Sequence, residues 1–186
     1  MKKYEIFAGV NGAGKSTLYA TKHVVAGENR VNTDEILKNM GDWRDTALLA
    51  KAGMEAVSRI RKYFKEGSSF NQETTLCGHA ILRNILKAKE LGYLVEMHYV
   101  GVDSAEIAKK RISHRVAMGG HGIPDADVER RYGESLKNLY KVIPLCDLVD
   151  LYDNTQIFRR FAIIRKGEIV RLSANVPSWF DVSVLK

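Results

Sequence analysis

The stretch Gly9-Val10-Asn11-Gly12-Ala13-Gly14-Lys15-Ser16 fits the pattern G-x-x-x-x-G-K-[ST]. No other feature of the chain restricts its fold so tightly. Glycines in the loop permit positive φ and let successive backbone amides face one anion. A helix that opens at the lysine adds partial positive charge. The loop works only where a strand delivers it and a helix leaves it. Tyr4-Glu5-Ile6-Phe7-Ala8 reads as that strand, and residues 15–23 as the helix. At ordinary residue frequencies, a chance match somewhere in such a chain comes to roughly 0.6%. The pattern therefore predicts that Gly9, Asn11, Gly12, Ala13, Gly14, Lys15, Ser16 and Thr17 surround the phosphates of ATP or GTP. Lys15 would reach the β- and γ-phosphates, and the Ser16 hydroxyl would ligate Mg²⁺.

The rest of the chain alternates strand and helix patterns, which argues for a parallel α/β sheet. Residues 30–32 read as a short second strand, with a helix starting at Thr33 or Asp34. Residues 43–65 read as one long helix, with Leu48, Ala52, Ala56, Ile60 and Phe64 on one face and Gly67 ending it. A third strand over 69–73, a helix over 80–91 and a strongly apolar strand over 93–100 follow. Asp103-Ser104-Ala105-Glu106 has the look of a capping box opening a helix to about residue 118. Gly119-Gly120-His121-Gly122 breaks that helix, and Pro124 begins the next. After a fifth strand over 146–152, two β-prone runs flank Lys166-Gly167, the pattern of a hairpin over about 157–172. With 186 residues, 45% of them hydrophobic, and no clear linker, a single domain over 1–186 is expected.

Two cysteines lack the spacing of a disulfide framework or a metal site, which fits a reducing cytoplasm. No apolar run approaches membrane-spanning length, so a membrane role is not expected. The net charge of +7 favours anionic partners. Basic residues do not interleave with aromatics as in RNA-binding surfaces, which points to a small anion rather than nucleic acid.

Ligand crevices in parallel sheets lie beyond the carboxyl ends of the strands. Asp34, just after the second strand, is placed to accept a proton from a hydroxyl attacking the γ-phosphate, although a carboxylate also suits a first helical turn. Glu73, with Thr74 and Thr75, closes the third strand and is placed to hold acceptor hydroxyls. Asp103 follows the fourth strand, but its helix-capping role outweighs a metal role. Arg111 and Arg115 share one helix face and repel each other unless an anion lies nearby. Together with Arg130 and Arg131 beyond the glycine break, they outline a basic helical lid over about 108–135. His121 sits in its hinge.

These stretches together resemble the zeta toxin family. The resemblance rests on Ala8 to Thr17, Val31-Asn32-Thr33-Asp34-Glu35-Ile36, Glu73-Thr74-Thr75-Leu76, Arg115 to Pro124, Arg130-Arg131-Tyr132 and Tyr152-Asp153-Asn154. It implies a nucleoside- or gluconate-kinase-like P-loop fold with a helical lid. It also implies phosphoryl transfer from ATP to a small molecule, which in zeta toxins is UDP-N-acetylglucosamine, and an antitoxin partner. Asp34 then matches the catalytic base, Glu73 the residue that holds the amino sugar, and Arg115 the first of two lid arginines. The second lid contact falls among His121, Arg130 and Arg131. Two other readings stand beside this one: a P-loop NTPase associated with nucleic acid, and a regulatory binding module without kinase activity.

Overall fold

The computed structural model describes residues 1–22 and 29–185. Strand β1 (Lys3–Ala8) runs into the glycine loop, and α1 (Lys15–Lys22) leaves it. The last residue expected in that helix, His23, lies outside the described residues. Next come β2 (Arg30–Val31), α2 (Thr33–Met40), α3 (Thr46–Glu66), β3 (Phe70–Thr74), α4 (Ala80–Glu90) and β4 (Leu94–Gly101). Helices α5 (Ala105–Ala117) and α6 (Asp125–Val142) lead to β5 (Leu148–Asp153), β6 (Arg159–Arg165) and β7 (Glu168–Leu172).

Among the described residues, seven strands form one sheet in the order β2-β3-β1-β4-β5-β6-β7. The pairings from β2 through β5 are parallel, and β6 and β7 extend the sheet antiparallel. Helices cover both faces, so β1 and β5 are buried along almost their whole length. Alternate residues of β1 serve different cores. Tyr4, Ile6 and Ala8 pack with Ala52, Ile60, Ile81 and Ile85 of α3 and α4. Phe7 packs with Leu18 of α1 and Ala108 and Ile112 of α5. This arrangement is the α/β P-loop fold that the strand–helix alternation implied, closed by the expected hairpin. Lys166 (φ 49°) and Gly167 (φ 86°) both adopt the positive φ that a two-residue type I′ turn requires.

Helix boundaries differ from the sequence reading where a cap decides them. Helix α3 begins at Thr46 rather than near Trp43, because the Asp45 carboxylate accepts from the amides of Ala47 and Leu48. Helix α5 is capped by Ser104, whose Oγ accepts from Ile107 N, and not by Asp103. The Asp103 carboxylate instead accepts from Ser178 Oγ at 2.7 Å. That contact belongs to a C-terminal stretch with no local sequence signal. It returns to seat Trp179 against Gly101, where a Cβ would lie 2.3 Å from the indole. No helix among the described residues is long and apolar enough to cross a membrane.

Candidate functional site

The carboxyl ends of β1, β2 and β3 open into a cleft of about 670 Å³. Asn11, Gly12, Gly14, Lys15, Ser16 and Thr17 line one wall. Gly9 and Ala13 are not in the lining, but Gly9 is needed beneath it: with φ at 136°, a Cβ there would sit 2.2 Å from the Val100 carbonyl. Lys15 is buried, and its ammonium donates to the carbonyl of Val10 at 3.1 Å. Burial holds it below the ordinary lysine range against the opposing pull of Glu73 and Asp34. Among the described residues no carboxylate forms an ion pair with it.

Helix α5 brings Arg111 and Arg115 to the same cleft. Arg111 Nη2 donates to the carbonyls of Asn154 and Thr155 at 2.7 and 3.3 Å. The Asn154 side chain in turn donates to the Ala13 carbonyl, tying this loop to the glycine loop. Arg115 Nε donates to the carbonyl of His121 at 2.8 Å. Each guanidinium keeps one buried nitrogen, Arg111 Nη1 and Arg115 Nη2, without a partner among the described residues. A buried donor left unpaired costs about 1–3 kcal/mol, more when charged. Two beside a buried lysine that has no carboxylate partner among the described residues fit a polyphosphate.

Asp34 lines the same cleft from the first turn of α2, where Asn32 caps the helix by accepting from the amides of Asp34 and Glu35. Glu35, Lys38, Trp43 and His121 extend the cleft on that side. The His121 ring lies 5.1 Å from the Trp43 ring, and burial depresses its basicity, with Arg115 and Arg131 adding to the effect and Asp34 opposing it. Gly122 fits there because a Cβ would meet the Trp43 ring at 2.7 Å. Trp43 carried no signal in the sequence beyond an aromatic beside a helix.

Glu73 also lines the cleft. Its Oε1 and Oε2 accept from Ser16 Oγ at 3.0 and 3.2 Å. Oε2 also accepts from Arg30 Nη2 at 2.8 Å and Asn32 Nδ2 at 3.0 Å. Arg30 is itself held by Glu35 and Asn71 and stacks over the Tyr19 ring at 3.5 Å. The hydroxyl of Ser16 and the Glu73 carboxylate it bonds are oxygen donors of the kind Mg²⁺ takes, and this donor set fits that ion.

The other sequence candidates lie elsewhere. The Thr74 hydroxyl accepts from Leu76 N, and neither Thr74 nor Thr75 lines the cleft. Arg130 faces solvent, paired with Asp127 and Glu134. Arg131 reaches the glycine loop indirectly, donating to the Asn11 side chain at 3.2 Å. Of the three candidates for a second lid contact, only His121 is part of the lining. The second arginine in the cleft is Arg111, one helical turn before Arg115. Its spacing placed it on the right face but did not show that it is tied to residues 154 and 155.

This phosphate-loop geometry agrees with the sequence match, which covers residues 6–135 of the chain under the description AAA domain. The chain belongs to the AAA domain family. A Haemophilus influenzae relative, an uncharacterized protein, is 32% identical over 126 residues, which make up 68% of this AAA domain chain and 89% of the relative. Similar folds occur in the AvrRxo1-ORF1:ORF2 complex with ATP, at a TM-score of 0.73 and 17% identity over 92% of this chain. This chain spans only 60% of that one. The PezAT chromosomal toxin-antitoxin system of Streptococcus pneumoniae gives a TM-score of 0.60 at 14% identity, covering 85% of this chain and 69% of that one.

Proposed function

We propose that the protein is an ATP- and Mg²⁺-dependent phosphotransferase acting on a small-molecule hydroxyl, with a sugar nucleotide of the UDP-N-acetylglucosamine class as acceptor. One observation carries the reading: the Asp34 carboxylate shares one cleft with Lys15, Arg111 and Arg115, and the two arginines each keep a buried nitrogen without a partner among the described residues. A hydrolase needs only the cationic wall and a water. A transferase also needs a base that can reach the acceptor hydroxyl, and Asp34 is the carboxylate at the start of α2 that lines the cleft.

The acceptor oxygen forms a bond to the γ-phosphorus while the bond from that phosphorus to the β,γ-bridging oxygen breaks. Asp34 takes the acceptor proton, and ADP leaves. Lys15, Arg111 and Arg115 meet the charge that spreads over the transferring group. Ser16 would hold Mg²⁺, which would supply further neutralisation of the phosphate oxygens. Helices α5 and α6, joined through the glycine-rich segment, act as the lid that excludes water. The ATP-bound AvrRxo1-ORF1:ORF2 complex and the toxin-antitoxin context of PezAT support a nucleotide site and an antitoxin partner.

The test is ADP release by purified protein with radiolabelled ATP across sugar nucleotides, free sugars and NAD. Release that depends on UDP-N-acetylglucosamine is expected. ADP release stimulated by nucleic acid instead, or no acceptor dependence across the panel, overturns the proposal.

A further inference from the structure

We infer that Ser178 and Trp179, in the irregular segment after β7, are positioning residues for the nucleotide: they brace the loop after β5, and that loop aims Arg111 at the phosphates. The inference rests on the nucleotide reading of the cleft but not on the acceptor. Its starting point is the Arg111 guanidinium. Nη1 is buried without a partner among the described residues, and Nη2 sets its direction by donating to the carbonyls of Asn154 and Thr155. An arginine loses rotamer freedom when it grips a ligand, so one held in place beforehand binds more tightly. Two carbonyls can hold it only if the loop that carries them is itself fixed.

Residues 154–158 belong to neither β5 nor β6, so side chains have to fix them. Asp153, buried at the end of β5, accepts at Oδ1 from Thr155 N at 3.3 Å and from Thr155 Oγ1 at 2.7 Å. The same oxygen accepts from the Trp179 indole at 3.1 Å. The Thr155 hydroxyl in turn accepts from Asp103 N at 3.1 Å, and the Asp103 carboxylate accepts from Ser178 Oγ at 2.7 Å. Ser178 and Trp179 thus each reach Thr155 through one aspartate at the carboxyl end of β4 or β5. The segment that carries them is anchored in turn. Trp179 and Phe180 are buried against Phe161, and Trp179 also packs on Tyr99 in the space that Gly101 leaves open. Neither the two aspartates nor Ser178 and Trp179 line the cleft, so any effect on a bound ligand has to pass through the loop they brace. Arg111 lies within the AAA domain match, which stops at residue 135, and the brace lies beyond it.

The experiment measures the affinity of the full-length protein for a fluorescent ADP analogue at fixed Mg²⁺ in a four-member cycle. Its members are the wild type, Ser178→Ala with Trp179→Phe, Arg111→Met, and all three substitutions together. The phenylalanine keeps a ring beside Gly101 but removes the indole N–H. The doubly substituted brace should bind about threefold to tenfold more weakly than the wild type. In the Arg111→Met background the same two substitutions should change affinity by less than about twofold. A segment that only holds the fold together would lower the denaturant midpoint and leave the affinity of the folded protein unchanged, which overturns the inference. Equal losses in both backgrounds also overturn it, because they would route the effect through the Asn154 side chain and the Ala13 carbonyl instead of Arg111. Thr155→Val cuts the same path inside the loop and carries the test, with the same expectations, if the brace variant does not fold. A wild type that does not bind the analogue removes the nucleotide reading and this inference together. If the cycle behaves as expected but no acceptor is phosphorylated, the phosphotransferase reading alone fails.

Discussion

Two groups of buried charge lie along the same sheet and differ in how they are balanced. At the carboxyl ends of the strands, Lys15 and the free nitrogens of Arg111 and Arg115 have no anionic partner among the described residues. Lower down the face covered by α1, Glu5, His98 and Asp150 form a knot. His98 Nε2 lies 3.0 Å from Glu5 Oε1, and Nδ1 lies 3.2 Å from Asp150 Oδ2, an ionic contact outside hydrogen-bond angles. Lys3, Lys22, Arg160 and Glu96 surround it, with Lys3 on Glu5 and Glu96, and Lys22 and Arg160 on Asp150. Burial penalises charge in both places. In the knot the protein supplies its own counter-charges. In the cleft the imbalance is cationic, and a ligand has to supply the anion.

The sharpest way to break this contrast is to remove the unpaired cations. Lys15→Ala should bring acceptor-dependent ADP release to background, a loss of at least about 1,000-fold, and weaken ADP binding in the same protein. A variant that kept full activity would end the phosphate assignment. Asp34→Asn should leave ADP affinity unchanged and lower turnover by about 100–10,000-fold, read as kcat at saturating ATP. Equal loss in binding and turnover would place Asp34 in the nucleotide site instead. Arg111→Met removes one unpaired donor while keeping a long side chain over α5. ADP affinity should fall by about tenfold in direct titration, and no change would mean that the free nitrogen faces no phosphate.

The parts of this contrast that the sequence disclosed are the local ones. The glycine loop, the apolar β4 and the Lys166-Gly167 turn each place their information within a few residues. Asp34 was legible because it follows a strand at a spacing the topology converts into a cleft wall. Arg30 was not, because its meaning lies in Glu73, and the two meet only through the parallel β2–β3 pairing. Arg111 was visible as a helix-face neighbour of Arg115, but the carbonyls that orient it come from the loop after β5. Trp179 gave no local pattern at all. Its place is set by the absence of a side chain at Gly101 and by a hydrogen bond from its indole to Asp153. Helix starts failed for a related reason: Asp42, Asp45, Asp103 and Ser104 are all competent caps by type, and tertiary partners decide which ones serve.

The smallest effect on the cleft is expected from the knot, and it has its own pH signature. Burial alone would lower the basicity of His98, but the carboxylates of Asp150 and Glu5 against its two ring nitrogens overcome it and raise the folded-state pKa. Asp150 moves the other way: burial would raise its pKa, and His98, Arg160 and Lys22 lower it. A raised histidine pKa means that folding favours the protonated form. Its contribution is complete below the unfolded value of about 6.5 and fades as pH climbs through the folded value. The lowered Asp150 pKa gives stability that is present at neutral pH and lost as acid protonates the carboxylate. His98→Gln removes the titrating charge but keeps polar contact with one neighbour. It should cost about 1–3 kcal/mol near pH 6, and the deficit relative to wild type should narrow on going to pH 9. Denaturant unfolding at both pH values measures this, while ADP affinity in the folded variant should change less than about twofold. A deficit that widened with pH would mean His98 is held neutral, and a large loss of ADP affinity would mean that the knot and the cleft are one electrostatic unit.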